Sequence, residues 1–214
     1  MKEFDLIIQA AEKSMGFAPS SLIAMSKKPN ILGAFTMLFS NIKGFSSSQV
    51  SAWTGLQLAF KNIKWSMQAK KESHLEVPAY LKDLIALVAS NAAGCRYCQA
   101  HTAHTAHKNG VEIEKIQKVW EFQSSELFSA EEKAALDFAL AAASVPNQVT
   151  QEHHRELEKY FTDKQIVEIV ATISIFGFLN RWNDSMATKL EEKPLSFARE
   201  HLSKNWEPGK HVHA

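Results

Sequence analysis

Both cysteines of this chain lie three positions apart, at Cys95 and Cys98, directly after Gly94 in a helix-forming segment. Two cysteines in 214 residues are too few for the disulfide framework of a secreted protein, so the chain must fold around a hydrophobic core. A Cys-x-x-Cys that uses every cysteine of the chain indicates a reversible redox pair in a reducing compartment. We therefore expect a cytoplasmic protein built around this motif.

Charge and hydropathy exclude several classes of partner. The chain carries 24 basic and 23 acidic residues, a formal net charge of +1, so no general field attracts nucleic acid or an anionic membrane. No apolar run approaches the roughly 20 residues of a membrane span. The charged N-terminal segment lacks the apolar stretch of a signal peptide. We expect neither a nucleic-acid nor a membrane partner.

Helical patterns dominate the sequence, and alternating strand-like runs are nearly absent. Residues 1–214 are predicted to form a single all-α domain, a multi-helix bundle with its core at about residues 77–190 and a helical extension at 1–76. Capping boxes begin at Ser129 and Thr162, and Gly110 is a predicted left-handed helix end. The predicted helices cover about 4–14, a short segment between Pro19 and Pro29, 30–43, 46–71, 78–91, 95–110, 111–123, 129–143, 150–160 and 162–187.

Two further patterns concern single helices. The helix ending near Lys71 has an apolar stripe, which predicts that these residues lie in the core: Trp53, Leu56, Ala59, Phe60, Ile63 and Met67. A weak internal repeat aligns residues 180–183 with the Cys-x-x-Cys motif and replaces both cysteines with asparagine. A true duplication would give two similar helical hairpins, with Asn180, Arg181 and Asn183 in a second elbow.

The spacing of the motif predicts thiol chemistry. On a helix, Cys95, Cys98 and His101 follow one another at one-turn intervals, so that two sulfurs and an imidazole can meet. A helix N-terminus or a protonated imidazole lowers a thiol pKa and produces the reactive thiolate. Such a thiolate attacks a hydroperoxide, and the resulting sulfenic acid condenses with the neighbouring thiol to a disulfide that an external reductant must reopen. His104 could extend a proton path.

Other uses of these residues are less consistent with the pattern. A zinc site would take Cys95, Cys98, His101 and His104, but four ligands along one helix cannot surround a metal tetrahedrally. A thioredoxin-like protein would require strands. The sequence has no phosphate loop, haem attachment motif or flavin fingerprint, so we expect neither a metal nor an organic cofactor.

At these residues the chain resembles the carboxymuconolactone decarboxylase and alkylhydroperoxidase D-like superfamily, in its peroxidase-related branch. The resemblance rests on an acid twelve positions before the first cysteine, on Gly-Cys-x-Tyr-Cys, on a following histidine and on Gly-Val. These features are Asp83, the stretch Gly94–Cys98, His101 and Gly110–Val111. The resemblance implies an all-helical fold that assembles into homo-oligomers such as dimers, trimers or hexamers, with the cysteines near a subunit interface.

The resemblance also implies roles for individual residues. Cys98 would attack the hydroperoxide, Cys95 would resolve the intermediate, and Asp83 with His101 would relay the proton. Helix-terminus electrostatics alone would favour Cys95 as the thiolate. Two departures bear on the relay, because Asp83 stands where the family usually has Glu, and Thr102 occupies the usual histidine position.

The leading functional prediction is therefore a hydroperoxide-reducing thiol oxidoreductase that depends on an external dithiol protein. One alternative is a cofactor-free decarboxylase of the carboxymuconolactone type, whose chemistry needs no dithiol. The other is a non-enzymatic, redox-sensing oligomer whose thiols change assembly without catalytic turnover.

Overall fold

The structure, a computed structural model, describes residues 7–9, 12, 16–43 and 52–212. All regular structure in these ranges is helical, which confirms the all-α fold. Among the described helices, none combines the length and the apolar character that crossing a membrane requires. The helices are α1 (Ser20–Met25), α2 (Pro29–Lys43), α3 (Ala52–Lys71), α4 (Ala79–Ala92), α5 (Arg96–Lys108), α6 (Ile113–Gln117), α7 (Ala130–Ala143), α8 (Gln151–Glu158), α9 (Asp163–Met186) and α10 (Glu192–His201), with single 3₁₀ turns at Ser73–Leu75, Val119–Glu121 and Gly209–Val212.

The chain divides into two compact units, Met1–Glu76 and Val77–Ala214. The division falls at the boundary expected between the helical extension and the core. The single domain stays a prediction. Most of the helix predicted at 4–14, and the start of the one at 46–71, lie outside the described residues.

In the first unit, α3 buries a different face from the predicted one. Trp65 is buried with Leu32 of α2, whereas Phe60, Ile63 and Met67 are exposed. At about 100° per residue these three side chains point away from Trp65, so the apolar stripe lies opposite the buried face. The core prediction was wrong for these three residues. Trp53, Leu56 and Ala59, also predicted to be core, have side chains outside the described part of the chain.

In the second unit, α4 is the central helix. It begins directly after Pro78 and is apolar around most of its circumference, as a helix buried on all sides must be. α5, α7 and α9 pack against it. The predicted capping boxes at Ser129 and Thr162 begin α7 and α9, which confirms both helix starts.

The C-terminal segment folds back onto α5. Ala100 of α5 is buried together with Leu195 and Ala198 of α10 and with Trp206. The indole N–H of Trp206 donates to Oε1 of Gln99 at 2.9 Å. This segment lies beyond the core predicted from the sequence, and it brings the turn at Gly209–Val212 to the Cys-x-x-Cys motif.

Candidate active site at the Cys-x-x-Cys turn

The Cys-x-x-Cys motif begins at the turn between α4 and α5. Gly94 forms the turn with a φ of +74°, a conformation that glycine adopts without steric cost. The N–H of Cys95 donates to the carbonyl of Ser90 at 3.1 Å and fixes Cys95 as the N-cap of α5. The Cys95 sulfur accepts a hydrogen bond from the backbone N–H of Cys98 at 3.3 Å. The predicted position of Cys95 at a helix N-terminus is confirmed.

The two sulfurs are buried and are not joined by a disulfide. The hydrogen bond from the Cys98 thiol, together with that from the Cys98 backbone N–H, lowers the pKa of Cys95 despite its burial. The pKa of Cys98 is raised, because its thiol donates to Cys95 and because it is buried. Cys95 is therefore the sulfur that is better placed to carry a negative charge.

This asymmetry separates the two assignments made from the sequence. The resemblance implies attack by Cys98, whereas helix-terminus electrostatics favoured Cys95 as the thiolate. The hydrogen bonds at the turn agree with the electrostatic argument, because the N-cap sulfur receives both donors.

α9 contributes an amide to the cysteines. Nδ2 of Asn183 lies 3.6 Å from the Cys98 sulfur, and Asn180 approaches the carbonyl of Ala89 at 3.5 Å. Both asparagines are buried. The second elbow predicted at residues 180–183 is absent, because α9 runs uninterrupted through Met186 and nothing there breaks its backbone hydrogen bonds. The repeat nevertheless pointed to residues that contact the cysteine turn.

Asp83 lies away from the sulfurs. It is nine residues before the end of α4, a distance of about 13 Å along a helix axis. Its carboxylate accepts a hydrogen bond from Nδ2 of Asn109 at 2.6 Å, at the opposite end of the α4–α5 hairpin. Burial raises the pKa of Asp83, and the bond from Asn109 opposes this shift. The structure does not bring Asp83 to the cysteines.

His101 lies on the surface beside the motif. Its Nε2 is 2.6 Å from Oε2 of Glu191, and its ring stacks on Tyr97 with the centroids 4.3 Å apart. The hydroxyl of Tyr97 donates to Oε1 of Glu191 at 3.1 Å. Burial and the neighbouring Glu191 carboxylate raise the pKa of Tyr97 to about 12. The interactions of His101 are therefore with Glu191 and Tyr97, and Asp83 is not among its neighbours.

The four-ligand zinc arrangement considered from the sequence does not form. His101 is paired with Glu191, and the ring of His104 packs edge-on against Phe197 at 5.6 Å. Burial lowers the pKa of His104, and nearby Lys108 adds to this shift. Neither histidine belongs to the group of possible metal ligands found among the described residues.

A second group of residues surrounds Cys95 instead. Ligand atoms of Cys95, Asp184 and His211 all lie within 4.8 Å of one another, the one such group among the described residues. Lys210 Nζ lies 2.7 Å from Oδ2 of Asp184, and Nε2 of His211 lies 3.5 Å from Oδ1. Zinc binds donors of these three kinds, but Lys210 already neutralises this carboxylate. The group therefore places a thiol, a carboxylate and an imidazole side by side, with the carboxylate also paired to Lys210.

Sequence reasoning missed Asp184 and His211. Neither belongs to a short motif with the cysteines, and His211 lies beyond the last predicted helix. The apparent repeat was the one signal close to them, because it placed the neighbouring Asn183 over Cys98.

Unpartnered polar atoms concentrate near the turn. Among the described residues, three buried side-chain atoms lack a hydrogen-bond partner: Ser90 Oγ, Asn180 Oδ1 and His211 Nε2. The Ser90 carbonyl holds Cys95, and Asn180 contacts the preceding residue of α4. Buried polar atoms are nearly always paired, so these three mark free hydrogen-bonding capacity around the sulfurs.

Comparison with known proteins identifies a family whose match covers the cysteine turn. The sequence model of the carboxymuconolactone decarboxylase family matches residues 56–141, which include α4, the cysteine turn and α5. Among curated protein sequences, no match was found.

Solved structures extend the similarity over most of the chain. The apo debrominase Bmp8 is 32% identical over 93% of this chain and 91% of its own, with a TM-score of 0.57. A cysteine-to-alanine variant of Bmp8 in complex with 2,3,4-tribromopyrrole is 31% identical with the same coverage and TM-score. A protein of unknown function from Agrobacterium tumefaciens, a suggested antioxidant defence protein AhpD, is 22% identical over 63% of this chain and 91% of its own, with a TM-score of 0.52. At that identity, the likeness concerns the fold alone.

Proposed function

This chain belongs to the carboxymuconolactone decarboxylase family, and we propose that it is a thiol-dependent oxidoreductase whose two cysteines alternate between dithiol and disulfide. The observation that carries the proposal is the N-cap geometry, in which the Cys95 sulfur accepts the backbone N–H of Cys98 at 3.3 Å. This contact favours a thiolate on Cys95 and keeps the second cysteine beside it. The decarboxylase alternative requires no dithiol and therefore gives this pair of cysteines no chemical role.

We propose a hydroperoxide as the oxidising substrate. The thiolate attacks the terminal oxygen, the O–O bond breaks, and the alkoxide takes up a proton to leave as an alcohol. The attacking sulfur becomes a sulfenic acid, which condenses with the second thiol to release water and form the disulfide. An external dithiol protein then donates two electrons and two protons to restore both thiols.

The electrostatics at the turn support Cys95 as the attacking sulfur and Cys98 as the resolving one, the reverse of the order implied by the resemblance. The lowered pKa of Cys95 increases its thiolate fraction near neutral pH. The Cys98 thiol donates its proton toward Cys95 and becomes the partner for condensation.

The test is single-turnover oxidation of the reduced full-length protein with cumene hydroperoxide, followed by free-thiol counting and mass spectrometry. The wild type should lose both thiols and form one intramolecular disulfide. Cys98→Ser should stop at a sulfenic acid on Cys95, which dimedone traps, and Cys95→Ser should react far more slowly. Thiols that stay reduced for minutes in excess hydroperoxide would refute the peroxidase proposal.

A second candidate reaction is reductive debromination, favoured by the similarity to Bmp8 across 93% of this chain. Oxidation of two thiols to a disulfide supplies the two electrons that replacing bromine with hydrogen requires. One thiolate takes the bromine from the ring carbon, a proton replaces it, and the second thiol displaces bromide to form the disulfide. Release of one bromide per disulfide from 2,3,4-tribromopyrrole, absent in the Cys95→Ser variant, would support this reaction, and no bromide release would exclude this substrate.

We further propose that the protein acts as a homo-oligomer in a reducing, cytoplasmic environment. One exposed stripe of α9 is large and apolar, and it consists of Ile175, Phe178, Trp182 and Met186. The rings of Phe178 and Trp182 stack with their centroids 6.1 Å apart. Exposed apolar stripes of this kind commonly form subunit contacts, and this one runs on the helix that supplies Asn183 to the cysteines.

A further inference from the structure

The imidazole of His211 is buried beside Cys95 with one nitrogen unsatisfied. Its ring is 1% exposed, and Nε2 has no hydrogen-bond partner. Nδ1 lies 2.8 Å from the carbonyl of Thr188. A carbonyl oxygen only accepts, so Nδ1 carries a proton, and Nε2 is the ring nitrogen that can gain or lose one.

The lone pair of His211 faces acidic groups. Nε2 lies 3.5 Å from Oδ1 of Asp184 and belongs to the group of ligand atoms within 4.8 Å that includes the Cys95 sulfur. A lone pair and a carboxylate facing each other are stabilised when a proton comes between them. The Cys95 thiol belongs to the same group of atoms and can supply that proton.

We propose that His211, oriented by Thr188 and Asp184, is the proton acceptor and donor of the Cys95 thiol. This inference rests on the proposed dithiol function and adds a thiol–imidazole–carboxylate array to it. The array takes the place of the Asp83 and His101 relay, which the fold does not assemble at the sulfurs.

The charged groups around Cys95 are consistent with this role. Cys98 faces the sulfur from α5, Asp184 from α9, and Lys210 and His211 from the C-terminal turn. Lys210 holds the far oxygen of Asp184 at 2.7 Å and reduces its repulsion of a thiolate. An imidazolium at His211 would then lie between a thiolate and a carboxylate, both of which stabilise it.

The proton balance follows from this arrangement. His211 takes the proton of the Cys95 thiol, and the thiolate attacks the hydroperoxide and breaks its O–O bond. The imidazolium then protonates the departing alkoxide, which leaves as an alcohol. In the second step, the Cys98 thiol forms the S–S bond with the sulfenic acid, and His211 passes the Cys98 proton to the leaving hydroxide as water forms.

The chain holds His211 in place through its backbone as well. The N–H of Leu190 donates to the carbonyl of His211 at 2.8 Å, which ties the final turn to the segment after α9. Tyr97 packs against the ring with the centroids 5.9 Å apart. The C-terminal turn therefore completes the site around Cys95.

The test measures the pH dependence of Cys95 alkylation by iodoacetamide in the full-length Cys98→Ser protein, which leaves one thiol. His211→Asn is introduced into this background, because an asparagine amide can still donate to Thr188 but offers nothing at the position of Nε2. The matched control is His107→Asn, whose Nδ1 lies 3.3 Å from the carbonyl of Val111 at the other end of α5.

We expect His211→Asn to shift the alkylation midpoint upward by about one pH unit and to slow alkylation at pH 7 about tenfold. His107→Asn should leave the profile unchanged. If His211→Asn fails to fold, as judged by circular dichroism, His211→Gln provides the same comparison. Identical profiles with and without the imidazole would overturn the proposal. Stoichiometric zinc binding that requires His211, with no imidazole effect in zinc-free protein, would also overturn it.

Alkylation by iodoacetamide consumes the thiolate without a hydroperoxide, so this result does not depend on hydroperoxide turnover. If His211→Asn changes the alkylation profile but the wild-type thiols do not react with hydroperoxide, the role of His211 is supported and the peroxidase proposal is refuted. Disulfide formation at the wild-type rate in His211→Asn would preserve the peroxidase proposal and refute the role of His211.

Discussion

At the residue scale, the two cysteines differ in what donates to each sulfur. Cys95 accepts from both the thiol and the backbone N–H of Cys98, whereas Cys98 receives one long contact from Asn183. Donors stabilise the charged form of a thiol, so two residues of identical chemistry are made unequal by their positions on the first turn of α5.

This inequality predicts opposite alkylation behaviour of the single-cysteine variants. In Cys98→Ser the backbone N–H of residue 98 still donates to the Cys95 sulfur and stabilises its thiolate, so this variant should be alkylated with a midpoint below the ordinary value of about 8.5. In Cys95→Ser the remaining Cys98 thiol is buried and receives one long contact from Asn183, so it should react much more slowly at pH 7. Rates measured with iodoacetamide from pH 5 to 10 check this, and a faster Cys95→Ser would restore Cys98 as the nucleophile.

Asp83 provides a second test at this scale. Its carboxylate bonds to Asn109 at the far end of the hairpin, so Asp83→Asn should oxidise at close to the wild-type rate. If Asp83 were part of a working proton relay, Asp83→Asn would instead be oxidised about a hundredfold more slowly, or slower still. Stopped-flow oxidation by cumene hydroperoxide distinguishes these results. Asn109→Ala is the control, because it breaks the same hydrogen bond from the other side.

At the element scale, two glycines differ in backbone conformation: Gly94 in the turn between α4 and α5, and Gly177 inside the uninterrupted α9. Gly94 has a φ of +74°, which only glycine adopts readily, and its conformation sets Cys95 at the helix start. Gly177 lies within α9, where a Cβ would have no atom within 4 Å. The first glycine is required by the backbone, and the second is not.

The same substitution should therefore have opposite effects at these positions. Gly94→Ala should lower the free energy of unfolding by about 1 kcal/mol, because alanine is strained in the left-handed region. Gly177→Ala should raise it by up to about 1 kcal/mol, because alanine favours a helix interior. Urea unfolding followed by circular dichroism measures both, and equal effects at the two glycines would contradict the assigned backbone conformations.

At the scale of the whole molecule, α9 has two separate roles. Its buried side supplies Asn180 and Asn183 to the cysteine turn, and its exposed side carries the apolar stripe with Phe178 and Trp182. The proposed subunit contact would therefore lie on the same helix as part of the site, which would link assembly to the environment of the cysteines.

A charge placed in this stripe should weaken the assembly. Trp182 is 56% exposed, so Trp182→Glu should leave the fold intact and shift the protein toward monomers, because an unpaired carboxylate is costly to bury. Sedimentation velocity of the wild type and the variant measures the shift. Tyr160→Glu, at a 43% exposed site after α8, is the control. An unchanged oligomer would exclude this stripe as the contact.

Local chemistry in the sequence determined most of the secondary structure and the position of the thiols. The capping boxes at Ser129 and Thr162, the glycine before Cys95 and the helical end at Gly110 could be predicted, because helix termini depend on hydrogen bonds between close neighbours. The Cys-x-x-Cys at a helix start could be predicted for the same reason.

The surroundings of the sulfurs were decided only by the tertiary structure. Asp184 and His211 reach Cys95 because α9 and the C-terminal turn pack against the α4–α5 hairpin, and no local pattern records that packing. The separation of Asp83 from the cysteines has the same origin, since it depends on the antiparallel arrangement of two helices. The sequence by itself determined that the two thiols lie together at a helix start, and long-range packing decided which titratable groups surround them.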